Sequence, residues 1–161
     1  MYYRRKVLLA LLEVYGGSLK RTDCEKLLFN FCQTTGKNYY DFFPYLYGPF
    51  SFVSYFDKRR LTELGLLKET DNFQINTEHS YINELKSTDK KALLSFKANI
   101  GDLSGDKLIK KTYRDFPQFT SRSMIADKYF TPEELTQLQF AWNTDTKPVV
   151  FSIGYEGLTI D

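Results

Sequence analysis

Apolar side chains recur at helical spacing through Val7, Leu8, Leu11, Leu12 and Tyr15, which predicts an amphipathic helix ended by Gly16-Gly17. A second helix is expected from near Thr22, with Glu25 three residues on at capping-box spacing. It continues through Leu27, Leu28, Phe31 and Cys32 and stops by Gly36. The texture then changes. Tyr39–Ser51 is aromatic, β-prone and broken by Pro44 and Pro49, the pattern of a short strand and tight turn leading into a third helix capped by Ser51. In that helix Val53, Phe56, Leu61 and Leu64 are expected to face a core. Ser54, Tyr55, Lys58, Arg59 and Thr62 then take the outer face, and Gly65 closes the segment. Leu66–Asn76 reads as a hairpin that turns at Thr70-Asp71-Asn72 and returns through the alternating Phe73-Gln74-Ile75-Asn76.

The remainder is helical in pattern. Ser87 or Thr88 can cap a helix holding Leu93, Leu94 and Phe96, and Ser104 starts another through Leu108, Ile109, Thr112 and Tyr113 that Pro117 ends. Thr131-Pro132-Glu133-Glu134 combines a cap, a first-position proline and a carboxylate three residues after the cap, opening a helix that runs to about Trp142. Asn143–Pro148 reads as a polar linker and Val149–Ile153 as a buried-type strand. The order of two helices, a third helix and a hairpin is that of a winged helix-turn-helix with the hairpin as wing. The expected fold is therefore α+β, mostly helical. It comprises a winged-helix-type domain over residues 1–78, a helical extension over 79–147, and the start of a truncated second domain, with a stub strand, over 148–161. A strand cut from its sheet is expected to pair with another copy or fold back onto the wing, so self-association through it is anticipated.

Composition changes this picture in one respect. Hydrophobic and charged shares of 42% and 26% are ordinary for a globular chain, but 14 Phe and 12 Tyr among 161 residues supply an aromatic excess. Such rings are expected first to fill the core, with a partner-binding surface as the alternative. Net charge is +2, with residues 1–70 carrying 11 Lys/Arg against 7 Asp/Glu. That basic front half permits nucleic-acid contact without demanding it. Cys24 and Cys32 lie about 12 Å apart along one helix, too far to bridge, and with His79 the sole histidine no zinc site is expected. Free thiols suit a reducing cytoplasm. Arg4-Arg5-Lys6 before an apolar run is the flank of a signal peptide, but Glu13 interrupts the run, no cleavage site follows and the spacing is helical. No run reaches the roughly 18–20 apolar residues that a membrane span needs.

Two stretches resemble known families. Lys26-Leu27-Leu28-Phe29 on a helix, an aromatic strand, Tyr47-Gly48-Pro49 and a helix ending near Leu64-Gly65-Leu66-Leu67 together resemble the amino-terminal half of the Panacea, or SocA-like, domain over Lys26–Lys68. That resemblance implies a bacterial or phage source and protein-binding roles, as antitoxin or proteolysis adaptor. Phe151–Asp161, with Gly154-Tyr155-Glu156-Gly157-Leu158-Thr159-Ile160-Asp161, is similar to the opening of the bacterial family called domain of unknown function 488. It implies that the chain is the amino-terminal part of a longer protein. The segment in which that family's chemistry would sit is absent from this sequence.

No catalytic residue, metal ligand or cofactor is expected. Gly154–Gly157 lacks the lysine and following helix of a phosphate cradle. Asp41 is expected to face out of an edge strand, and Asp57 to pair with Lys58 or Arg60 on a helix surface. His79 sits in a polar loop and the cysteines face a core, which leaves no activated nucleophile. The chain is expected to be a non-catalytic regulatory binding module, first a winged-helix DNA-binding region of a longer bacterial protein and alternatively a protein-interaction module, and each reading has its surface. One is a DNA-binding face of Ser54, Tyr55, Lys58, Arg59 and Thr62, with Lys68 at the wing and Arg4, Arg5 and Lys6 extending it. The other is a protein-binding aromatic patch of Tyr45, Tyr47, Phe50 and Tyr55. A third expectation is that the piece positions substrate for an enzyme domain beyond it.

Overall fold

The computed structural model describes residues 1–143, and it is α+β and mostly helical. Asn143, expected to open the linker, instead ends the last helix, and the rest of that linker, the strand Val149–Ile153 with its self-association, and the motif at Gly154–Asp161 lie outside the described residues. In chain order the elements are α1 (Tyr3–Val14), β1 (Ser18–Leu19), α2 (Arg21–Thr35), β2 (Phe43–Tyr45), β3 (Gly48–Phe50), α3 (Phe52–Glu63), β4 (Phe73–Gln74), α4 (Ser87–Ile100), α5 (Gly105–Asp115) and α6 (Pro132–Asn143). Short 3-10 turns cover Ile82–Glu84, Pro117–Thr120 and Ala126–Lys128. Among the described residues no helix is long and apolar enough to cross a membrane.

α2 is the axis of the molecule. Every residue from Asp23 to Cys32 is buried, because α1, α4, α5 and β3 all pack on it. Its polar side chains are consequently tied to neighbours rather than to water, as buried polar groups require. Asp23 accepts a 2.8 Å hydrogen bond from Gly105 N at the start of α5, and Asn30 donates to Thr112 Oγ1 on the same helix at 2.9 Å. One hydrophobic cluster runs from α1 (Val7–Leu12) through α2 (Leu27, Leu28, Phe31), Leu61 and Phe73 to α4 (Leu93, Phe96) and Leu108 on α5. The boundary expected near residue 78 therefore falls inside a shared core. A smaller cluster joins Ile109 and Tyr113 of α5 to Ala126 and Phe130, with Leu135 and Leu138 of α6 packed against it.

The hairpin expected over Leu66–Asn76 is reduced to one antiparallel bridge, Leu67 to Ile75. The paired strand β4 instead meets β1, with Ser18 opposite Gln74 and Leu19 opposite Phe73. β1 is too short to show a periodicity. The aromatic stretch forms two strands rather than one, β2 pairing with β3 in the register Phe43–Phe50, Pro44–Pro49, Tyr45–Gly48. A two-stranded hairpin of this length is marginal alone. It is seated by Leu46 O, which accepts from Met124 N at 2.8 Å, and by Phe29, whose ring meets Phe42, Phe116 and Phe119 edge-on.

α3 is rotated relative to its expected orientation. Ser54, Asp57 and Leu61 point inward, while Phe56 is 51% exposed and Leu64 is exposed as well. Polar partners from elsewhere in the chain cause this. Asp57 is fully buried between Arg4 and Arg5, with Arg4 Nε at 2.7 Å and Arg5 Nε at 2.6 Å, and Tyr40 OH donates at 3.1 Å. Burial alone would raise its carboxyl, but the two guanidiniums outweigh that and hold it below the usual range. The surface pairing expected for Asp57 is thus corrected to a buried one. Arg4 and Arg5 are spent on it, and Lys6 pairs with Glu84 at 2.6 Å, so none of the three extends a DNA face.

Candidate functional site

α2, the β2–β3 hairpin and α3 enclose a cleft of about 520 Å³. Tyr45, Tyr47 and Phe50 of the hairpin make one wall, Phe52 and Tyr55 of α3 the other, and Arg21, Thr22, Glu25 and Lys26 of α2 the floor and mouth. The expected patch of Tyr45, Tyr47, Phe50 and Tyr55 is brought together here, since β3 runs directly into α3. Phe50 is the hub: its ring lies 5.1 Å from Tyr45, 5.0 Å from Phe52 and 4.9 Å from Tyr55. Such tilted and edge-to-face pairs prefer this spacing. Phe52 and Tyr47 keep 59% and 56% of their surface exposed.

The floor is ionisable and buried. Glu25 accepts from Ser51 N at 3.1 Å and from Ser54 Oγ, so both its oxygens are engaged at the start of α3. Burial pushes its carboxyl up to about 7, against the hydrogen bonds and Lys26, which act downward. Lys26, 2% exposed, donates to Pro49 O at 3.2 Å, and burial brings its ammonium down to about 8. Arg21 lies at the mouth, its guanidinium 5.0 Å from the centre of the Tyr55 ring and its Nε donating to Tyr55 OH at 3.3 Å. Sequence reasoning missed Arg21, Lys26 and Phe52. It also assigned Glu25 to a capping box that does not form, because α2 starts at Arg21 and its cap position, Lys20, makes no side-chain bond. Ser51 occupies the expected cap position of α3, yet its buried hydroxyl has no partner among the described residues and Glu25 serves the backbone there instead.

A second groove adjoins the first, lined by Arg21, Tyr55, Lys58, Arg59, Thr62, Glu63, Glu69 and Thr70. This is the expected DNA-binding face, with three corrections. Ser54 is fully buried and donates to Glu25 and to Ser51 O, so it is not on the face at all. Lys58 is half-buried and donates to Thr70 O at 2.7 Å and Asp71 O at 2.9 Å, which ties α3 to the turn before β4. Thr62 donates back to Lys58 O at 3.0 Å. Arg59, with 72% of its side chain exposed, has Glu63 at 3.9 Å, and Lys68 is exposed with no ion pair among the described residues.

Burial drives the Cys24 thiol well above its ordinary range and Cys32 up to about 11, so both stay protonated. His79 is exposed beside Glu84, and Asp41 is exposed. Among the described residues no group of three or more His, Cys, Asp and Glu side chains is placed to hold a metal ion. Compared with protein-family models, with curated proteins and with solved structures, the chain matches none.

Proposed function

We propose that this chain is a non-catalytic binding module built on a winged-helix-type frame over residues 1–78, and that its aromatic cleft is where a segment of a partner protein docks. The observation that carries this reading is the juxtaposition of five aromatic side chains from the hairpin and α3 around one open cleft, two of them more than half exposed. Tyr and Phe clustered at a surface are the composition of interface cores. The order α1, β1, α2, α3, β4, with β4 laddered to β1, supports the winged-helix frame, and the β2–β3 hairpin stands as an insertion before α3. The Panacea-like stretch Lys26–Lys68 spans the cleft, and that resemblance implies protein-binding roles. Panning random peptides displayed on phage tests the reading: the full chain enriches a consensus, and a Tyr47→Ser/Phe52→Ser double variant, altered only at exposed rings, does not. If the wild-type chain enriches nothing, the reading fails.

A second reading sets duplex DNA in the outer groove, supported by the exposed cations Arg21 and Arg59 that line it. With Ser54, Arg4 and Arg5 internal and Lys58 engaged, fewer donors face outward than a phosphate-tracking surface uses. Anisotropy titration of a labelled duplex at several salt concentrations measures it. Binding with a salt slope that falls by about one in Arg59→Ala supports this reading, and no binding at low salt removes it.

A further inference from the structure

We infer that the cleft receives an acidic segment of the partner: a carboxylate goes to the Lys26 ammonium at the floor while a neighbouring apolar side chain packs on Tyr45, Phe50 and Tyr55. This deepens the protein-docking reading and rests on it. An ammonium has three donors. Lys26 is 2% exposed and among the described residues has one acceptor, Pro49 O at 3.2 Å, a carbonyl of the cleft wall. A buried charge without full compensation is costly and attracts a counter-charge to its open side.

The nearby carboxylates Glu25 and Asp23 act on this ammonium through space, but burial outweighs them and neither is hydrogen-bonded to it. Glu25 turns both oxygens to Ser51 N and Ser54 Oγ at the head of α3, and it forms no ion pair with Lys26. Burial favours its neutral form up to about pH 7, which lowers the repulsion an incoming anion meets. Arg21 stands at the mouth, five residues before Lys26 and therefore roughly 7.5 Å away along the α2 axis. Two cations at mouth and floor, between aromatic walls, complement a carboxylate beside an apolar side chain. The rings favour a peptide over a nucleic-acid strand. Tyr45, Phe50, Phe52 and Tyr55 pack against each other tilted or edge-on, so they make a contoured apolar wall and not the parallel platforms on which bases stack.

The test uses the full chain and the sequences that the display selection returns. Enriched peptides are expected to place Asp or Glu beside an aromatic or aliphatic residue. Synthesised with a fluorescent label, each is compared with its Asp→Asn or Glu→Gln counterpart by anisotropy. The acid is expected to bind the wild-type chain about tenfold more tightly than the amide, as a charge-assisted contact requires, and Lys26→Met is expected to bind the two alike. The acid–amide comparison needs no protein variant, so it decides the matter even if Lys26→Met does not fold. Peptides enriched without an acidic residue, or acid and amide of equal affinity, overturn the carboxylate assignment and leave the cleft as a docking site. Tighter binding of labelled oligothymidine than of any selected peptide also overturns it. Failure to enrich any peptide strikes the docking reading itself, a separate result.

Discussion

Glu25 occupies the most unusual position of any single residue here, a carboxylate inside the molecule whose opposite charge lies one residue away and points elsewhere. Its ordinary value of 4.5 is pushed to about 7 by burial. The native state therefore holds a proton that the unfolded chain releases between those two values. Its contribution to stability is fully present below 4.5 and is lost as pH rises through 7. Urea unfolding at pH 5 and pH 8 should show a loss on the order of 2–3 kcal/mol in the wild type from this group, and Glu25→Gln should remove most of that difference. A pH dependence unchanged by the substitution would mean the carboxyl is not held as described. Lys26 acts in the opposite direction and in another window. Its ordinary value of 10.5 is lowered to about 8, so the folded chain gains stability as pH rises from 8 to 10.5.

Among the elements, the β2–β3 hairpin depends most on its surroundings. Gly48 has φ +92, and a Cβ there would stand 2.4 Å from Cε1 of Tyr113 on α5. Gly48→Ala is therefore expected to cost about 2 kcal/mol through backbone strain and overpacking, and to weaken binding in the cleft because Gly48 lines it. Thermal denaturation with a peptide titration reads both, and an alanine variant as stable as the wild type would contradict the seating. Elements defined by local signals were legible in the sequence. Gly16-Gly17 follows α1, Ser104 precedes α5, and the capping box at Thr131 forms as expected. There Thr131 N donates to Glu134 Oε2 at 2.9 Å and Glu134 N to Thr131 Oγ1 at 3.2 Å. The orientation of α3 was not legible, because Ser54 and Asp57 turn inward only to meet Glu25, Arg4 and Arg5, which are far away in sequence. For the same reason the aromatic half of the site could be read from adjacent residues, whereas its charged floor could not. Nothing in the amphipathic pattern of α2 marks Glu25 and Lys26 as internal.

At the scale of the whole molecule, the shared core sets what can be separated. Leu93 and Phe96 of α4 and Leu108 of α5 complete the cluster that α1 and α2 begin, and Asn30 and Asp23 hydrogen-bond into α5. A fragment of residues 1–78 would expose one flank of α2 with its polar side chains unpartnered, so it is expected to show no cooperative unfolding transition. Circular dichroism during a urea titration checks this, and a sigmoidal transition in the fragment would show that the front half folds on its own.

A helix buried along ten successive residues has a further consequence for how the chain comes into being. On a ribosome, α1 and β3 are made close to α2, but α4 and α5, which cover its remaining flank, emerge only some eighty residues after Asp23, the separation of its bond to Gly105. Until then the flank of α2 that meets α4 and α5 has no cover from this chain. Closure of this core is thus expected to wait for segments far along the chain.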